Sequence, residues 1–297
     1  MGTSSANPTG ERSATFVLRL ALCLSAVVRV EMLAVGKELL IGRTLNTNAH
    51  WVGKRLARLG TMLKEVTTVD DELGEIATAF KAALRRSPDF LLVVGGLGPT
   101  PDDMTLKGVA DALGVTLRES DAALDMIREH YASRGLGKME LTPSRLKMAT
   151  LPKGGEPVFN ESGTAPGVRI ASGKTVVYCL PGVPVEMRGI FRKSVEPEVK
   201  RKMGNMHRSY HTFRLEGILE SVLAPVIADE LGKHPGAYIK SHPRGITEGV
   251  SRIELDIAVV GEDRQRTDRE GEAISREMLK AIKGLGGRIR PAQSHGA

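Results

Sequence analysis

Cysteine and histidine are scarce in this chain of 297 residues. Its two cysteines, Cys23 and Cys179, form no CxxC pair, which excludes a disulfide framework and a cysteine-ligated zinc site. Of its seven histidines, His207 and His211 are four residues apart, but they lie around a predicted strand rather than on a helix. Catalytic zinc is therefore not expected. The cysteine usage favours a protein of the reducing cytoplasm.

Aromatic residues are also few, with six Phe, four Tyr and one Trp, and no basic run is interleaved with them. The sequence thus predicts no stacking platform for single strands, and nucleic acid is not expected as the main partner. Forty-two Lys and Arg against 35 Asp and Glu give a net charge of +7, which favours anionic partners in general. The charge does not choose between nucleotides and acidic metabolites.

Long apolar runs are missing as well. The one candidate, "TFVLRLALCLSAVV" at residues 15–28, resembles the core of a signal peptide, but Arg19 interrupts it. It is too short to span a bilayer, and no Ala-x-Ala cleavage site follows it. We therefore expect an unstructured extension at residues 1–27 and no association with a membrane.

Short β-rich runs alternate with helical periodicity from Val28 onward. Three predicted strands, "VVRVEMLAV", "MLKEVTTV" and "FLLVV", are each followed by a helical segment, and Gly60 is a good stop for the first helix. The unbroken apolar character of "FLLVV" is typical of a strand covered on both faces. The pattern predicts the α/β class, with a mostly parallel sheet between two layers of helices.

The second half of the chain has a different pattern. The stretch "LPKGGEPVFNESGTAPG" is predicted to be rich in loops, and two antiparallel strands joined by a Ser172-Gly173 turn are predicted after it. Beyond Met206 the order is βαββα, and Ile253 to Val259 alternate as in a strand with one buried face. We predict a first domain over residues 28–205 and a small α+β domain over residues 206–297.

The stretch "VVGGLGPTPDD", residues 93–103, is the main candidate site. Ligands of open parallel sheets bind beyond the carboxyl ends of the strands, where this stretch is predicted to lie. Gly95, Gly96 and Gly98 would let backbone amides approach a phosphate. Asp102 and Asp103 could hold a divalent cation, which would bridge phosphate oxygens.

The same stretch also suits a helix start, with Thr100 as the cap and Pro101 at the first helical position. Acidic residues in a first turn are favoured by the helix dipole, by about 0.3 to 1 kcal/mol each. The local pattern alone leaves both interpretations open. The stretch is neither a Walker A loop nor a dinucleotide fingerprint.

Three other loops carry candidate residues. In "ESGTAPG", Ser162 and Thr164 could donate to phosphate, and "LPGVPVEM" forms a second possible anion site in which Glu186 could equally be an acidic cap. In "GKELLIGRTLNTN", Glu38 and Asn46 lie at another predicted strand end. Asn46 could instead cap the following helix.

Taken together, these four motifs, in this order and spacing, resemble the molybdopterin-binding domain of the MoaB and MogA type, in its CinA amino-terminal form. The resemblance covers about residues 28–289 and implies a three-layer α/β/α domain that binds a nucleotide or pterin phosphate. It implies that Gly95, Gly96 and Gly98 contact phosphate and that Asp102 and Asp103 hold a metal. It also implies a pocket lined by Gly163, Thr164 and Gly182. We also expect the protein to form a homo-oligomer.

The resemblance predicts a divalent-metal-dependent nucleotide pyrophosphatase acting on ADP-ribose-like diphosphates, with magnesium or a similar cofactor. A molybdopterin adenylyltransferase and a non-catalytic nucleotide or pterin binder remain alternatives. Lys37 departs from the family pattern, in which Thr or Asn is usual, and the deamidase domain of bacterial members is absent from the sequence. The predicted site comprises Asp102, Asp103 and Glu38 as catalytic groups and, around the ligand, Gly95, Gly96, Gly98, Thr100, Asn46, Ser162, Gly163, Thr164, Gly182 and Glu186.

Overall fold

The computed structural model describes residues 28–135, 140 and 142–290. The chain divides into two compact units, Val28–Met203 and a second one from Gly204 onward. The predicted extension at residues 1–27, including Cys23 and the signal-like run, lies outside the described residues, as does the end of the second predicted domain. No helix in the described part of the chain is long and apolar enough to cross a membrane.

The first unit is built on a six-stranded sheet in the order β2-β1-β3-β8-β7-β6. Strands β2, β1, β3 and β8 are mutually parallel, whereas β7 and β6 are added as an antiparallel edge. Two short strands, β4 and β5, pair separately. The strands are β1 (Arg29–Val35), β2 (Met62–Val69), β3 (Phe90–Val94), β4 (Leu117–Glu119), β5 (Thr150–Pro152), β6 (Gly155–Val158), β7 (Gly167–Ser172) and β8 (Thr175–Leu180).

Helices cover both faces of this sheet. They are α1 (Lys37–Leu40), α2 (Thr47–Leu59), α3 (Leu73–Arg85), α4 (Thr105–Leu113), α5 (Asp121–Ser133), α6 (Pro143–Met148), α7 (Pro184–Ile190) and α8 (Glu196–Met203), with a π-helical turn, Phe191–Val195, between the last two. Alternate residues of β1 enter two separate cores: Leu33 packs with Phe80 of α3, and Met32 packs with Leu56 of α2. The predicted three-layer α/β/α architecture is confirmed.

Several local predictions are also confirmed. Helix α2 ends at Gly60, which adopts the left-handed conformation with φ of 96°. Strands β7 and β8 are antiparallel as predicted, but their turn lies one residue later than predicted: Ser172 pairs with Thr175, so the two loop residues are Gly173 and Lys174 rather than Ser172 and Gly173. The free Cys179 is fully buried in β8, and this burial raises the pKa of its thiol to about 12.

The stretch predicted to be loop-rich, residues 151–167, contains two strands that the sequence did not indicate. Residues 155–158 form β6, which pairs antiparallel with β7, and the start of the stretch belongs to β5. Gly155 and Pro157 disfavour a strand by their local preference. Pro157 is tolerated because β6 is the edge strand of the sheet.

The second unit has a four-stranded antiparallel sheet in the order β10-β11-β9-β12. Its elements are β9 (His207–Glu216), α9 (Glu220–Lys233), β10 (Tyr238–Thr247), β11 (Val250–Gly261), α10 (Arg264–Gly284) and β12 (Arg288–Arg290). This is the predicted βαββα order with one additional short strand. Ile253, Leu255 and Ile257 of β11 are buried against Ile274 and Met278 of α10, as their strict alternation predicts.

Candidate functional site

Residues 95–98, which we call the glycine loop, follow β3 at the carboxyl ends of the parallel strands. Gly95 donates its backbone N–H to the carbonyl of Leu180 at 3.0 Å and has a φ of 111°. A Cβ at this position would lie 2.1 Å from the carbonyl oxygen of Val35. The backbone of the loop therefore lies directly against the ends of β1 and β8, in a conformation and a space that only glycine fits.

The helix after this loop begins later than the sequence predicts. Thr100 is not its cap: α4 begins at Thr105, and residues 100–103 form a turn. The Asp103 carboxylate accepts the backbone N–H and the hydroxyl of Thr100, at 2.9 and 2.6 Å. The hydroxyl of Thr105 donates to the carbonyl of Gly95, and its backbone N–H donates to the carbonyl of Gly96. Because residues 100–103 form a closed turn before this point, the helix does not begin until five residues after Thr100.

The "ESGTAPG" loop is organised by Asn160, which is 3% exposed. Its Oδ1 accepts the backbone N–H groups of Ser162 and Gly163, and its Nδ2 donates to the carbonyl of Ala165 and to Glu186 Oε2. A Cβ at Gly163 would lie 2.0 Å from that same carboxylate oxygen. Asn160 therefore holds this loop against the first turn of α7, and Gly163 leaves the space that the Glu186 carboxylate fills.

These two loops and the turn after β8 surround one cleft of about 450 Å³. This volume falls within the range of about 300 to 1,000 Å³ that is usual for small-molecule sites. Six of the residues predicted from the sequence line it, and Tyr131 and Met148 add apolar surface. The six are Gly96, Gly98, Asp103, Thr164, Gly182 and Glu186.

A second cleft of about 290 Å³ lies against the same glycine loop and includes Lys107 and Lys147. Lys147 donates to the backbone carbonyl of Thr100. Both clefts share Gly96, Gly98 and Asp103; the smaller one adds two ammonium groups, and the larger one adds the Glu186 carboxylate.

The remaining predicted residues do not line the larger cleft. Gly95 lies behind the loop, and Asn46 caps α2 by accepting the N–H of Ala49 at 2.9 Å. Thr100, Asp102 and Glu38 are exposed. Ser162 and Gly163 belong to the wall behind Glu186.

An acidic group, which we call the strand-edge acids, consists of Glu38, Asp70, Asp71 and Asp102. Burial raises the pKa of Asp71, and the nearby charges of Glu38, Asp70 and Asp102 act in the same direction, opposing the N–H bond from Lys37. Asp70 pairs with the Lys37 ammonium at 2.9 Å, so the unusual lysine is held by a carboxylate. The sequence interpretation missed Asp70 and Asp71, the two residues that follow β2 and therefore lie at the same sheet edge as Asp102.

The carboxylates near the cleft can be compared with the ligands that a divalent cation needs. Within the described ranges, the strand-edge acids and Asp103 form no group of three carboxylates whose oxygens lie within 4.8 Å of one another. Mg²⁺ is commonly held by one or two carboxylates together with substrate phosphates and water. The donor set therefore suits a cation that binds with a phosphate ligand, rather than one enclosed by protein groups.

Asn48 is a second residue that the sequence interpretation missed. Its Nδ2 donates to the carbonyl of Gly182 at 2.7 Å, which fixes the turn after β8. Its Oδ1 is buried and has no hydrogen-bond partner among the described residues. Since buried polar atoms are normally paired, this oxygen is a place where a ligand or water donor would be favourable.

Fold and geometry define an α/β/α domain with a polar cleft at the carboxyl ends of β3 and β8. A family model described as a probable molybdopterin binding domain matches residues 31–201. The chain belongs to this family and is of the CinA-like type, as its four motifs predict.

The similar proteins agree with this assignment. A protein of Metallosphaera sedula is 39% identical over 264 residues, covering 89% of this chain and 98% of its own. A protein of Pyrobaculum aerophilum is 39% identical over 252 residues, covering 85% and 93%. Both alignments are long enough to extend past residue 201 into the second unit. The crystal structure of CinA from Thermoplasma acidophilum, a protein described as of unknown function, is 41% identical with a TM-score of 0.53, covering 59% of this chain and 99% of its own.

Proposed function

We propose that the first unit binds a nucleotide diphosphate in the 450 Å³ cleft and hydrolyses it with a divalent metal, as a cytoplasmic ADP-ribose pyrophosphatase. One observation carries the proposal. The glycine loop, Thr164 and the Gly182 turn converge on a single cleft at the carboxyl ends of parallel strands, with the carboxylates of Asp103 and Glu186 in its wall. Phosphate ligands are characteristic of this position in α/β sheets.

The glycine loop would contact the diphosphate. Gly96 has a positive φ of 63°, and a Cβ there would lie 2.4 Å from the Thr105 hydroxyl, so only glycine allows the loop to follow this path. Backbone N–H groups held in this way stabilise negative charge without reorganising during the reaction. Tyr131 and Met148 provide an apolar surface for the base or the pterin ring.

Asp102 and Asp103 would hold the metal together with phosphate oxygens. When bound, it would neutralise the diphosphate and lower the pKa of a coordinated water. Glu186 stands in the cleft wall with one carboxylate oxygen held by Asn160 at 2.7 Å, so we favour it over the exposed Glu38 as the group that accepts a proton from the attacking water.

Purified protein with ADP-ribose and either Mg²⁺, Mn²⁺ or EDTA tests this proposal. We expect AMP release that requires the metal and falls by at least roughly tenfold in Asp102→Asn. Asp102 is exposed, so its replacement should leave the fold intact. Asp111→Asn, an exposed aspartate of α4, is the matched control and should retain full activity.

The other outcomes identify the alternatives. Tight ADP-ribose binding without AMP release would support the non-catalytic binder. ATP-dependent adenylylation of molybdopterin would support the transferase. A rate that is independent of metal and equal in Asp102→Asn and Asp103→Ala would contradict the proposed mechanism.

A further inference from the structure

The second unit contains a separate group of potential metal ligands. Glu230 lies in the last turn of α9, His234 is the residue that ends that helix, and Glu277 lies on α10. One ligand atom from each lies within 4.8 Å of the other two, and this is the one such group of three among the described residues. Glu230 and His234 are four residues apart, which places them on the same side of the helix end.

Glu230 is the informative member of this group. It is 4% exposed, and its Oε1 accepts the Lys233 ammonium at 2.8 Å. Its Oε2 is buried without a hydrogen-bond partner in the described part of the chain. A buried carboxylate oxygen without a partner is unfavourable, and a cation at this point would satisfy it.

The position of His234 is fixed by the helix end. Its backbone N–H donates to the carbonyl of Glu230 at 2.9 Å, and its Nδ1 lies 3.7 Å from Glu270 Oε1. Glu230 and Glu277 line an open cleft of about 780 Å³ beside the two helices, so these two carboxylates can be approached from solvent. A bound ion would therefore have an entry path and room for a water ligand.

We propose that Glu230, His234 and Glu277 bind a divalent transition metal of the zinc class, which clasps the end of α9 to α10. An imidazole nitrogen with two carboxylate oxygens is a donor set that Zn²⁺ accepts, whereas Mg²⁺ and Ca²⁺ prefer oxygen alone. Three protein ligands leave a position for water. This site is independent of the function proposed for the first unit.

Lys233 sets the affinity of this site. Its ammonium bridges Asp229 and Glu230 at 2.7 and 2.8 Å, and so opposes a second cation beside the same carboxylate. Removing that charge while keeping a similar length, as in Lys233→Met, should strengthen metal binding. A purely structural role for the three residues would not produce this increase.

Calorimetric titration of the metal-free full chain with Zn²⁺ tests the site. We expect binding that is weakened more than about tenfold by His234→Ala and by Glu277→Gln, and is strengthened by Lys233→Met. Glu272→Gln, an exposed glutamate on the same helix, is the control and should not change it. Because Glu277 is exposed, its replacement should not prevent folding.

Two further readouts separate this site from the first unit. Co²⁺ should give a visible absorption spectrum that is lost in His234→Ala and kept in Asp102→Asn, and Zn²⁺ should raise the Tm of the wild type but not of Glu277→Gln. Zinc affinity that is the same in the wild type, His234→Ala and Glu277→Gln, or no zinc binding at all, would overturn the proposal.

Discussion

Asn160→Ala is the substitution that most sharply tests how the cleft is built. The Asn160 side chain is almost completely buried and makes four hydrogen bonds: its oxygen accepts two, and its nitrogen donates two. Alanine would leave two backbone N–H groups, one carbonyl and the Glu186 carboxylate without these partners. The loop over residues 161–167 and the first turn of α7 would lose their connection.

The expected cost follows from these bonds. Each neutral hydrogen bond contributes about 0.5 to 1.5 kcal/mol and one to a charged group about 1.5 to 3 kcal/mol. Allowing for partial access of water to the loop, we expect Asn160→Ala to lower the free energy of unfolding of the first unit by about 3 to 5 kcal/mol. For a unit of this size that corresponds to a fall in Tm of roughly 10 °C.

Thermal and urea unfolding measure this change. Asn46→Ala is the control, because Asn46 makes a single capping bond to Ala49 whose loss costs about 1 kcal/mol. Asn160→Asp should keep the acceptor but place a second negative charge beside Glu186, so its destabilisation should be larger at pH 7 than at pH 3. If Asn160→Ala costs no more than Asn46→Ala, the role assigned to Asn160 is wrong.

Three further substitutions probe other contacts. Gly98→Ala would put a Cβ 2.6 Å from Asp103 Oδ2, so the turn should lose the hydrogen bonds that this carboxylate accepts. Unfolding experiments should show that the free energy of unfolding falls by about 1 to 2 kcal/mol. An unchanged stability would contradict that geometry. Arg86→Met should lower the free energy of unfolding by about 3 kcal/mol, because Glu31, which is 1% exposed, would stay buried without its main partner. In a double-mutant cycle, adding Glu31→Gln should recover part of this loss. Burial opposes the ionisation of Glu196, but hydrogen bonds from two basic side chains prevail and lower its pKa. The stabilisation from ionised Glu196 is therefore complete above the ordinary pKa of 4.5 and is lost as the pH falls through the lower pKa of the folded state. Urea titrations should show that the cost of Glu196→Gln is largest at pH 7 and decreases as the pH is lowered below 4.5; a cost that does not change with pH would contradict this sign.

Much of the fold could be predicted because local signals agree with the tertiary structure. The apolar run of β3 is buried on both faces, and Gly60 ends α2 in the left-handed conformation that glycine favours. Strand β6 could not be predicted in this way. It is an edge strand whose pairing with β7 overrides the local preference of Gly155 and Pro157.

The candidate site was predicted in its loops but not in its side-chain contacts. The rule that ligands bind at strand ends located the cleft, and six of the residues that line it followed from the motifs. The helix start at Thr100 was wrong because Asp103 uses its carboxylate to close a turn rather than to begin α4. Asn160 was missed because, in addition to its bonds within the loop, it contacts Glu186, which is distant in sequence.

The proximity of the strand-edge acids could not be predicted from local sequence either. Asp71 follows β2, and Asp102 lies after β3, so only the parallel order of the strands brings their charges together. Neighbouring residues along the chain carry no signal of this proximity. Similarly, the group around Glu230 needs the packing of α9 beside α10, since Glu277 comes from a different helix.

Binding of a diphosphate between the glycine loop and the Gly182 turn can be observed in a crystal structure. Crystals of the protein soaked with ADP-ribose and Mg²⁺, or with a non-hydrolysable analogue, test this most directly. We expect phosphate density against Gly96 and Gly98, with Asp102 or Asp103 at the metal. Ligand density at another position, or an empty cleft at saturating ligand, would contradict it.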